Sequence, residues 1–155
     1  MILRRKNQRG NAMVEFALAS AVLIPLMMGA FQFGYTFYTY NELQSAVANG
    51  ARYASFRTYR CLSGATDIAK VKTAIQNMTV YSSPTVSSGV PLVKGLTPSA
   101  INVTFNLNST QIPIAVTVSV KTFTVDSLFQ KYTFAGKPAS TLPYLGRYAS
   151  QESEP

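Results

Sequence analysis

The stretch Arg4–Tyr35, RRKNQRGNAMVEFALASAVLIPLMMGAFQFGY, decides the fold. From Phe16 to Phe33 it runs 18 residues without a charge, and only Ser20 and Gln32 are clearly polar. As a helix, that run is about 27 Å long, close to the ~30 Å of a bilayer's hydrocarbon core. It continues into GYTFYTY, where Tyr35, Tyr38 and Tyr40 read as an aromatic belt at one interface. Arg4, Arg5, Lys6 and Arg9 precede the run, and no basic residue follows until Arg52. The positive-inside rule therefore sets residues 1–10 in the cytoplasm and the chain beyond about Asn41 outside. A secretory signal peptide fits less well. The small-x-small match, Ala17-Leu18-Ala19, comes too early, and the chain after Met28 is bulky and aromatic.

Glu15 stands out at the head of this run. Near a helix terminus it can sit among headgroups, whereas deeper it costs a few kcal/mol unless paired. It is the fifth residue after Gly10. A cut between Gly10 and Asn11 would create an α-amine four residues, or about 6 Å of helix, from the carboxylate. In a bundle of stepped helices, the carboxylate of one subunit then meets the amine of its neighbour, and the pair sets register more than it adds stability. Small residues such as Ala12, Ala17, Ala21, Gly29 and Gly34 allow close helix approach. Pro25 removes one backbone donor and bends the helix near residues 21–23.

The ordered set Gly10, Val14-Glu15-Phe16-Ala17, Pro25, Phe33-Gly34, Tyr40-Asn41 and Gly50-Ala51-Arg52-Tyr53-Ala54 resembles the TadE-like pseudopilins or minor pilins of tight-adherence (Flp) pilus systems. The resemblance covers roughly residues 9–55 and fades beyond. It implies cleavage after Gly10 by a prepilin peptidase, an assembly role for Glu15, and other pilin or pseudopilin subunits as partners. It also implies a bacterial inner-membrane location before any entry into a surface pilus. Asn11 departs from the pattern as a slightly polar first residue. Chain length argues for a minor rather than a major subunit.

The expected fold is α+β, in three parts. Residues 1–10 form a basic leader. Residues 11–59 form a long helix, with its membrane part at about 12–40 and in contact with lipid. Residues 60–155 form an external body with a flexible tail. Leu43, Ala46, Val47, Ala51 and Ala54 recur at three- and four-residue steps, so the helix presses this face on the body, although Asn49-Gly50 offers an alternative end. SGATDIAKVKTAIQNM gives a second helix with Ile68, Val71, Ala74, Ile75 and Met78 on one face and Ser63 or Thr66 as cap. Residues 81–99, with three prolines, form a loop with a short edge strand at Val90–Val93, a candidate contact surface or flap. INVTFNLN and IAVTVSVKTFTV form an antiparallel hairpin, with Ile101, Val103, Phe105 and Leu107 facing Val116, Val118 and Val120. Phe123 and Val125 have the opposite parity, which calls for a bulge or twist near Lys121–Thr122. LFQKYTF adds a third strand or a short helix, and the Pro/Gly/Ser-rich end is extended and frayed.

Composition narrows the chemistry. The net charge is +8, but ten basic and six acidic residues remain beyond residue 10, so the excess is largely an end effect. The remaining cations are scattered rather than clustered, which argues against nucleic acid as a partner. With no histidine and one cysteine, the usual zinc sites, a histidine-based nucleophile pair and an internal disulfide are all out of reach. Cys61 reads as a small apolar group. Asp67 reads as a first-turn helix residue and Asp126 as a turn or cap. The triplets at Asn77, Asn102 and Asn108 match the glycosylation sequon but read as polar strand faces. No cofactor or catalytic site is expected.

The reading is a non-enzymatic pilin-like component. The alternatives are an uncleaved single-pass assembly factor that keeps residues 1–10, and a surface binding module.

Overall fold

The computed structural model describes residues 8–57, 59–60, 65–85, 89–109, 113–127, 130–146 and 148–149. Arg4, Arg5, Lys6, the Arg9 side chain and Cys61 lie outside the described residues, as does the Ser63 cap.

One helix dominates. Helix α1 spans Gln8–Ser55, 48 residues with Pro25 inside it. Asn49-Gly50 does not end it. Its last third lies on the body and buries Leu43, Ala46, Val47, Ala51 and Ala54, the face set by the three- and four-residue steps. Helix α2, Ala65–Tyr81, crosses this end of α1. It buries Ile75 and Val80 fully, while Val71 is partly buried against the core. The helix runs three residues past Met78, and its inner face also carries Asn77 and Thr79. The triplet at Asn77 is therefore a buried helical segment and not a strand face. The Thr79 hydroxyl donates to the Ile75 carbonyl at 2.8 Å, which satisfies the group in the core.

Gly50 explains the close crossing. A Cβ at this position would run into the Thr79 hydroxyl and lie 3.1 Å from the Thr79 Cβ. The glycine thus lets α1 and α2 touch, an advantage that outweighs its low helix propensity.

Short strand β1 (Tyr59–Arg60) follows α1. Strands β2 (Ile101–Leu107) and β3 (Pro113–Val120) form the expected antiparallel hairpin. Ile101 faces Val120, Val103 faces Val118 and Phe105 faces Val116, so inward residues meet in pairs. Leu107, beyond a register shift, is 37% exposed and leaves the core. Both helices cover this inner face, α1 over β3 and α2 over β2.

The parity change at Lys121 is a corner and not a bulge. Lys121 N donates to Ala100 O at 2.7 Å, and Lys121 O accepts from Gly136 N at 3.0 Å. The chain then leaves the first sheet. Strand β4 (Thr122–Asp126) pairs with β5 (Lys131–Ala135) in a separate two-stranded hairpin. Of the LFQKYTF stretch, Lys131–Phe134 lie in β5, paired with β4, while Leu128 and Phe129 lie outside the described residues. Phe123 and Val125 still point into the core from this second sheet.

The tail departs most from expectation. Strand β6 (Ala139–Pro143) is the third strand of the main sheet, antiparallel to β3, and it packs on α1. Strand β7 (Tyr148–Ala149) pairs parallel with β1. Leu145 N donates to Ser55 O at 2.9 Å, and the Tyr144 hydroxyl donates to Arg57 O. Residues 144–149 are thus tied to the end of α1 and to β1, which follows it. At residues 90–93 no strand forms. Leu92 N bonds to Val80 O at 2.8 Å, and Val93 and Leu96 drop into the core and anchor the loop.

Candidate assembly and membrane helix

The candidate feature is the free half of α1. Thr39 is its first buried residue, and residues 10–38 project beyond the body, exposed or half-exposed throughout. That is about 43 Å of helix. Large apolar side chains point in every direction around it: Phe16 is 73% exposed, Leu23 57% and Met27 66%. A helix apolar on all sides does not belong in water; it belongs in lipid or among other apolar helices. The span Gly10–Ser55 contains a window long and apolar enough to cross a membrane, none of it buried by the body.

Along this rod the sequence-selected residues fall in order. Gly10 lies in the first turns, with open space where a Cβ would stand. Asn11 and Glu15 follow, one helical turn apart, both exposed. Among the described residues Glu15 has no hydrogen-bond or ion-pair partner. Pro25 lies near the middle of the exposed rod. Gly29 and Gly34 also have open space around them and leave flat patches on the helix surface. The Thr36 and Thr39 hydroxyls bond back to the Gln32 and Tyr35 carbonyls at 2.9 and 3.0 Å, which removes their polarity from the helix surface.

The junction between rod and body is fixed by contacts that the sequence analysis missed. The Tyr38 hydroxyl donates to the Glu42 carboxylate at 2.6 Å, one turn up the helix. The Tyr40 ring meets Phe134 of β5 with centroids 5.2 Å apart at 52°. The spacing of Tyr38 and Glu42 was a usable signal for the first; nothing local points to the second. So Tyr40 is turned to the body, while Tyr35 and Tyr38 remain exposed as a belt would be.

Among the described residues there is no group of three metal-ligating side chains. Asp126 ends β4 and pairs with Lys131 across the hairpin at 3.2 Å, with both side chains about three-quarters exposed. Asp67 falls in the first turn of α2.

No curated protein and no solved structure matches the chain. One family model does, and it covers the rod and most of the docked helix: residues 10–52 match the family described as TadE-like protein.

Proposed function

We propose that this chain is a non-enzymatic pilin-like subunit of a tight-adherence pilus. It enters the membrane with residues 1–10 in the cytoplasm and the body outside. A prepilin peptidase cuts between Gly10 and Asn11. The freed helix then leaves the bilayer for a bundle of like helices, in which Glu15 meets the new amine of a neighbouring subunit and fixes the step between subunits. The body, held on the far end of α1, initiates, caps or decorates the filament.

The supporting observation is the bare rod. No residue from 10 to 38 is buried, and the segment carries, five residues past a glycine, a carboxylate that has no partner among the described residues. Lipid and neighbouring helices are the two environments that suit such a surface.

Glu15→Ala tests the assembly role. The variant is expected to accumulate in the membrane at wild-type level and to drop out of the sheared surface fraction. Equal amounts of variant and parent in that fraction would remove Glu15 from the assembly account. An uncleaved anchor would be absent from the sheared fraction in both forms.

A further inference from the structure

A cleft of about 300 Å³ lies where the rod meets the body. Tyr35, Tyr38 and Glu42 of α1 form one wall; Lys94 and Gly95 of the 89–97 loop and Asp126 of β4 close it. Its height along α1 is informative. If the uncharged run ends in hydrocarbon at Phe33, Tyr35 stands about 3 Å above that edge and Glu42 about 13 Å. The headgroup layer of one leaflet is about 5–7 Å deep. Tyr35 falls within that layer, and the Glu42 side chain, which leans back toward the start of α1 as helical side chains do, reaches down toward its outer margin, so the cleft opens from the headgroup layer outward.

Its charges suit one kind of headgroup. Lys94 is exposed and cationic. Glu42 is anionic and accepts from Tyr38. Asp126 is balanced by Lys131 at 3.2 Å. A purely anionic headgroup would meet a carboxylate, whereas a zwitterion finds a site for each charge. A primary ammonium also donates N–H bonds to a carboxylate, which a quaternary one cannot. Below the cleft, Ile24, Met28 and Phe31 continue the Tyr35 and Tyr38 face at three- and four-residue steps, 52%, 47% and 65% exposed. They form a stripe along which an acyl chain can lie.

We propose that this cleft binds the headgroup of a phospholipid bearing a primary ammonium, with Lys94 on the phosphate and Glu42 on the ammonium. The inference rests on the reading of residues 12–40 as a membrane span. The lipid ties the body to the outer leaflet and fixes its tilt while the chain is still in the bilayer.

The test uses the full chain, reconstituted in vesicles of ethanolamine, choline or glycerol phospholipid. Flotation reports insertion. Native mass spectrometry after gentle detergent release reports retained lipid. The chain is expected to float with all three and to retain one ethanolamine phospholipid. Lys94→Glu and Glu42→Gln each reduce retention about tenfold, the equivalent of one charge-assisted hydrogen bond. Both positions lie at the surface, and glutamine keeps an acceptor for Tyr38, so the melting of the body should not move. A floating chain that retains no lipid, retains all three alike, or retains lipid equally in the variants would overturn the headgroup site. A chain that does not float would overturn the membrane span itself.

Discussion

At the scale of single residues, Gly50 and Glu15 carry opposite lessons. Gly50 looks from sequence like a weak point in a helix, yet α2 packs directly on it, with Thr79 where a Cβ would stand. Gly50→Ala is expected to destabilise the body by about 1–3 kcal/mol, as overpacking does. Because the obstacle is largely the Thr79 hydroxyl, the double variant Gly50→Ala/Thr79→Ala should lose less than the two single losses combined. Denaturant titration of the four proteins gives the coupling, and strict additivity would mean that the helices part instead of repacking. Glu15 could be singled out in the sequence because a charge in an apolar run is conspicuous in itself. The importance of Gly50 depends on a residue 29 positions away, which no local pattern encodes.

At the scale of elements, α1 is two helices in one. From Thr39 onward its inner face is core; before that it has no inner face. Leu43→Ala, at a fully buried position, should cost about 2–5 kcal/mol of body stability, and Leu23→Ala, 57% exposed, within about 0.5. Thermal melts of both variants in detergent would show this division, and equal effects would contradict it. The same division separates what sequence could reveal from what it could not. The buried stripe of α1 and the alternation of β2 and β3 are strong periodic signals, and both were readable. β6 was not: ASTLP is short, flanked by Pro138 and closed by Pro143, and only half-buried in alternation. It is a strand because β3 offers a free edge and α1 a surface, which are tertiary facts. The corner at Lys121 was visible as a parity fault. Whether that fault is a bulge or a departure depends on the hydrogen bonds to Ala100 and Gly136, both remote from it in the strand pattern.

At the scale of the whole molecule, a body with its own core holds one end of an apolar rod about 43 Å long. The buried core includes no residue from 10 to 38, so the rod can change surroundings, from lipid to a bundle, without unfolding what it carries. That independence is the physical content of the pilin-like proposal. The proposal's central claim is the cut between Gly10 and Asn11, since it creates the amine that gives Glu15 a partner. The intact mass and N-terminal sequence of the protein from native membranes and from sheared surface material test it most directly. The account predicts a mature chain that begins at Asn11 in the surface fraction. A chain that keeps Met1–Gly10 in every fraction would contradict it and leave α1 as a static membrane anchor.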